Sequence, residues 1–231
     1  MVELFYYTNA WTLIEILKDF KIKMSVLSKS SDLRERNYFR YLVNPYNGVG
    51  ETEARNNADN NTYVCFCTEP NSSGWRHLDK GYRLPNMWDT YADRHRGACL
   101  ILDEIKFAKE NSNLQVHPIT YVDEKNFDDS WPLKKKMIHK LKNYENEHER
   151  RYISANGTQF CNIKNSLQKV LLGVDFGGDE KKKYELKLFE IINNNNLKLD
   201  LFTQPLIDKT GKMIKLSNGC CLWNKMKDMT M

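Results

Sequence analysis

Apolar positions along the chain change their period several times, and each change marks an element. Aromatic and β-favouring residues fill 4–8, which predicts a short strand. Asn9 then caps a helix over about 11–19, whose buried stripe is Trp11, Ile14 and Leu17. Ile22, Met24 and Val26 alternate with polar residues, so the chain opens as strand, helix, strand. Periodicity fails across 29–61, where a charged stretch at 32–36 and a turn-rich one at 44–50 predict an irregular insertion with one short helix. Residues 63–67 read as a strand and 69–85, with their Asn, Ser and Gly, as a loop. From Met87 the spacing becomes helical: Trp88, Tyr91, Ala92 and His95 share one face, and Gly97 stops the helix. Strands follow at 98–102 and 116–122, then a basic helix at 133–142 and a strand at 147–154. A strand around 170–172, a helix over about 179–194, a strand at 197–202 and a hairpin turning near 208–211 complete the series. No repeat, proline-rich linker or composition shift splits it, so the expectation is a single α+β domain spanning 1–231, its sheet mixed and mainly antiparallel and flanked by helices.

Composition narrows the classes. The 231 residues are 41% apolar, enough for a core, and 35 basic against 30 acidic side chains give a net charge of +5. That is a mild excess, weaker than a dedicated nucleic-acid binder carries, and it singles out no partner. The longest basic cluster, Lys134, Lys135, Lys136, His139, Lys140 and Lys142, is either a solvated helix face or a phosphate contact. The six cysteines have neither zinc-site nor disulfide-framework spacing, which points to a reducing compartment and to no metal. No cleavable leader pattern and no apolar run of about 20 residues is present. The expectation is a cytoplasmic protein without a membrane partner, in which the triplets at Asn60, Asn71 and Asn156 carry no sugar.

Candidate chemistry concentrates in three places. Alternation puts Glu147, Glu149 and Arg151 on one strand face, where two carboxylates repel unless exposed or paired. The group is an exposed, self-neutralising patch, or a cleft in which one carboxylate orients a hydroxyl while the other carboxylate or Arg151 handles a phosphate or acceptor. Trp88, Tyr91 and His95 are packing or a ring platform, and His95 caps a helix end or hydrogen-bonds a ligand. Tyr6-Tyr7-Thr8 closes the first strand. Phosphate loops, Gly-x-Ser-x-Gly elbows and His-Glu-x-x-His helices are absent, which removes many enzyme classes.

Cys65-Phe66, the Met-Trp-x-x-Tyr-Ala-x-x-His-x-Gly-x-Cys-Leu segment at 87–100, the Glu-x-Glu-x-Arg strand at 147–151 and Leu171-Leu172-Gly173 together resemble a large bacterial and prophage family known only as a domain of unknown function. The family's usual Asn-Asp-Pro-Phe is replaced by residues 33–38. More distantly, the Tyr-x-Thr strand with its helix, the middle aromatic segment and the late Glu-x-Glu strand are similar to ADP-ribosyltransferases. That resemblance implies NAD as substrate, with Tyr6 and Thr8 holding the ribose, Tyr91 stacking on nicotinamide and Arg34 or Arg36 meeting the pyrophosphate. It also implies Glu149 as the catalytic carboxylate beside an oxocarbenium-like state and Glu147 positioning a nucleic-acid or protein acceptor, in a toxin or phage-defence role. The sequence departs from the pattern in its first motif, where a tyrosine stands in place of the arginine that normally accompanies Glu-x-Glu. A non-enzymatic module binding a nucleotide, a nucleic acid or a phage protein is the alternative, and a nucleotide hydrolase lacks the metal-ligand pattern such chemistry uses.

Overall fold

Every residue of β5 (Ala98–Asp103) is buried, as an apolar run covered on both faces should be. The computed structural model describes residues 2–26, 60–69, 81–128 and 131–195, together with the backbone of β12 (Asp200–Thr203), β13 (Leu206–Ile207) and β14 (Met213–Ile214). By its contacts the chain divides into two compact units, one of 1–21, 68–110 and 163–231 and the other of 22–67 and 111–162.

In the first unit the sheet order is β12-β11-β5-β1. β1 (Glu3–Thr8) and β11 (Leu167–Leu172) both run antiparallel to β5. β12 lies parallel to β11, which requires a crossover, and α5 (Lys181–Asn194) supplies it. α1 (Ala10–Asp19) starts where expected: the Asn9 side chain accepts from the Thr12 N–H at 2.8 Å. Its buried face is Ala10, Leu13, Ile14, Ile16 and Leu17. Trp11 is not part of that stripe; it lies on the flank, 51% exposed, with the ammonium groups of Lys18 and Lys187 5.8 and 5.1 Å from its ring centroid. The helix expected from Met87 to His95 is shorter and earlier, α2 (Pro85–Thr90), with proline at its start. It ends because Asp93, Arg94 and His95 all adopt positive φ, at 48°, 53° and 67°. α3 (Glu104–Glu110), which the periodicity did not reveal, is capped by Asp103, whose carboxylate accepts from the Lys106 N–H.

In the second unit β3 (Ser25–Val26), β4 (Thr62–Thr68), β9 (Glu149–Ser154) and β6 (Gln115–Pro118) follow one another, each pair antiparallel. β2 (Lys21–Lys23) pairs with β10 (Phe160–Asn162), so the expected second strand is broken at Met24, whose N–H donates to the Gln159 carbonyl. The strand expected at 116–122 divides after Pro118 into β6 and β7 (Thr120–Val122), because proline cannot donate to a ladder. β7 pairs in parallel with β8 (His139–Leu141). The basic helix expected over 133–142 therefore shrinks to the single turn of α4 (Leu133–Lys136), and its lysines are not all solvated, since Lys136 and Lys140 are buried. In the first unit β13 and β14 pair antiparallel, as the expected C-terminal hairpin requires. The architecture is α+β with a mixed, mainly antiparallel arrangement of strands. The expected insertion at 29–61 lies almost wholly outside the described residues.

Candidate functional site

Three connections of the first unit meet at a cleft of ≈ 630 Å³. The start of α1 contributes Asn9 and Trp11, the turn after α2 contributes Tyr91, Asp93 and Arg96, and the segment leading into α5 contributes Asp179, Glu180 and Tyr184. Close backbone packing fixes their positions. A Cβ at Gly97 would run into the Thr8 carbonyl oxygen, and one at Gly173 into that of His95, so only glycine lets these chains approach. The Gly173, Asp175 and Gly177 N–H groups donate to the Gly97, His95 and Arg96 carbonyls, tying the α2–β5 turn to the β11–α5 segment.

Charge in the cleft is unevenly committed. Arg96 Nε is 3.3 Å from Asp175 Oδ2 in a half-exposed pair, and Glu180 is engaged by Lys183 and, at 3.3 Å, by the Tyr184 hydroxyl. The hydrogen bond and charge of Lys183, with a smaller part from the Tyr184 hydroxyl, hold the Glu180 carboxyl below its ordinary range. Asp93 and Asp179 have no ion-pair partner among the described residues.

Of the residues expected to hold NAD, Tyr91 lines this cleft. His95 does not; its ring stacks on Trp88 with centroids 5.8 Å apart and an interplanar angle of 5°, and Tyr7 meets the same indole edge-on. Tyr6 and Thr8 stand opposite Leu100 and Ala98 in the β1–β5 ladder, on the other side of the strand from Tyr7, and do not line the cleft. Arg34 and Arg36 fall outside the described residues. Asp93, Arg96 and Tyr184 were not singled out in the sequence, and Trp11 only as part of the first helix's buried stripe; Gly177-Gly178 before an acidic pair is the local signal that marks a tight entry to α5.

Glu147, Glu149 and Arg151 belong to the second unit, and the structure corrects their setting. Glu147 is not on the strand: it ends a 3-10 helix, Lys142–Glu147, and His148 at φ 45° turns the chain before β9 begins. Nor is the group exposed. Glu147, Glu149 and Arg151 are buried with Lys140, which the sequence did not connect to them. Lys140 Nζ lies 2.9 Å from Glu147 Oε2 and 2.7 Å from Glu149 Oε2, while Arg151 donates to Glu149 Oε1 and, at 2.7 Å, to the Met137 carbonyl. The Glu149 N–H donates to the Tyr121 hydroxyl, 2.8 Å away. Two carboxylates and two cations thus cancel, the condition for burying them. Burial alone would raise the Glu149 pKa, but the Arg151 and Lys140 charges, with hydrogen bonds from Arg151 and the Cys65 thiol, pull it down to about 2. Burial keeps the Tyr121 phenol neutral far above its ordinary range.

No group of three or more His, Cys, Asp or Glu side chains among the described residues is placed to hold a metal ion, and no described helix is long and apolar enough to cross a membrane. A family model described as "Protein of unknown function (DUF2971)" matches residues 87–204. The chain belongs to this family. The DUF2971 match takes in the Tyr91, Asp93 and Arg96 turn, the entry to α5 and the whole Lys140–Arg151 network, and leaves the α1 side of the cleft outside. No curated protein and no solved structure matches the chain.

Proposed function

We propose that the first unit binds a nucleotide in its cleft, with NAD the first candidate. One observation carries the reading: Trp11, Tyr91 and Tyr184, an arginine held only in a half-exposed pair, and two carboxylates without ion-pair partners share one cavity of ≈ 630 Å³. Cavities of roughly 300–1,000 Å³ suit ligands of that size. The rings offer faces for planar bases, and the carboxylates accept from ribose hydroxyls. The Arg96–Asp175 pair is exposed enough that exchanging Asp175 for a pyrophosphate costs little. Titration calorimetry of the full chain with NAD, ATP and nicotinamide tests the reading. NAD is expected to bind, and Tyr91→Ala to weaken it about tenfold through lost ring stacking. Absence of binding by all three ligands overturns it.

A second reading is the transfer of ADP-ribose to a nucleic-acid or protein acceptor, by a cytoplasmic toxin or phage-defence protein of bacterial or prophage origin. It is favoured by a carboxylate, Glu149, that stays ionised and so suits a cationic transition state. Both of its oxygens are already engaged, so a substrate hydroxyl reaches it only in exchange for Lys140 or Arg151. Label moving from NAD to DNA, RNA or lysate protein supports transfer, while NAD left intact refutes it and leaves the binding reading standing.

A further inference from the structure

We infer that the cleft takes the cationic end of its ligand, the oxidised nicotinamide ring, against Asp93 and Asp179. The inference rests on the nucleotide reading of the same cleft. Three features converge on it. Arg96 already faces Asp175 and Glu180 already faces Lys183, so the cleft's remaining charge is that of Asp93 and Asp179, which have no such partner among the described residues, against Lys187 over the Trp11 ring. Its rings have faces that attract cations: Trp11 faces the ammonium groups of Lys18 and Lys187, Tyr184 that of Lys183, and Tyr91 lines the same cavity. The third feature is placement. Asp93 opens a run of three left-handed residues, and its carboxylate is delivered to the cleft by a turn whose Arg96 N–H donates back to the Asp93 carbonyl.

A ligand with a planar, positively charged head and a hydroxylated, phosphate-bearing body meets all of these at once. The head lies among the rings and the two aspartates, and the pyrophosphate turns toward Arg96. A neutral head of the same shape keeps the ring contacts and loses the charge attraction, which at about 6 Å across a partly solvated cleft amounts to roughly a tenfold difference in affinity.

The oxidised and reduced dinucleotides differ at this ring, cationic in one and neutral in the other, so paired titrations of the full chain with NAD and NADH at fixed ionic strength test the inference. NAD is expected to bind about tenfold more tightly than NADH, and 1-methylnicotinamide, a cation without phosphates, to outcompete neutral nicotinamide. In the double variant Asp93→Asn, Asp179→Asn both preferences are expected to vanish. Asparagine tolerates the left-handed backbone at position 93, so the turn is retained. Equal affinity for NAD and NADH, or a preference that survives the double variant unchanged, overturns the inference and leaves nucleotide binding intact. Binding of neither dinucleotide overturns both.

Discussion

Lys140 is the residue on which the charge balance of the second unit turns. It touches both Glu147 and Glu149, lies 4.8 Å from the centroid of the Tyr144 ring, and is 7% exposed. Its stem occupies the interior as a methionine's would, so Lys140→Met removes the charge with little change in volume. What remains is Arg151 against two buried carboxylates, and an unpaired buried charge costs about 3–5 kcal/mol. Urea denaturation of Lys140→Met is expected to show a loss of that size, and adding Glu147→Gln to recover part of it, as a double-mutant cycle reads when two groups share a partner. A loss below about 1 kcal/mol, within the range of an exposed pair, contradicts the burial argument. The sequence put both glutamates and Arg151 on one strand face, which holds for Glu149 and Arg151 but not for Glu147, at the end of a 3-10 helix. It did not show Lys140, because 133–142 reads as a continuous basic helix until β8 pairs with β7 and turns that lysine inward.

Among the elements, the turn after α2 departs furthest from local preference. Three consecutive non-glycine residues at positive φ each forfeit about 1–2 kcal/mol, and they persist because the surrounding bonds, His95 N–H to the Trp88 carbonyl and Gly97 N–H to that of Ala92, hold the loop. Arg94, exposed and at φ 53°, is the position where this can be relieved without touching the cleft. Arg94→Gly is expected to raise stability by roughly 1 kcal/mol, after the larger entropy of an unfolded glycine is subtracted, and Arg94→Val to lower it. Thermal unfolding of the pair decides, and a glycine variant less stable than the parent removes the strain argument. The same turn explains where sequence reading stops. β1, α1, β5 and α5 are visible in the sequence because the strands are continuous apolar runs that are mostly buried and the helices bury an apolar stripe. The helix expected to run to His95 is not, because packing of Gly97 against Thr8 and Gly173 against His95 overrides the propensity of 91–95. The cleft shares that limit: Tyr91 could be picked as an aromatic candidate, but Trp11, Asp93 and Tyr184 are joined only by three connections far apart along the chain.

At the scale of the whole molecule the buried network sets a term in the response to acid. Glu149 has a folded pKa of about 2 against an unfolded value near 4.3, so the unfolded chain binds the proton first as pH falls. Its contribution to stability is complete above that unfolded value and is lost as pH descends toward 2, roughly 3 kcal/mol over the window. Glu180 is shifted in the same direction by Lys183, but it is solvent-exposed and its contribution is screened. Comparing urea midpoints of the parent and Glu149→Gln from pH 6 down to pH 2.5 isolates the buried group. The variant is expected to start less stable, because Lys140 and Arg151 lose their shared carboxylate, and to lose less as pH falls, the two curves converging in acid. Parallel curves mean that Glu149 titrates alike in the folded and unfolded chain. The ion pairs with Lys140 and Arg151 would then contribute nothing to holding its proton off.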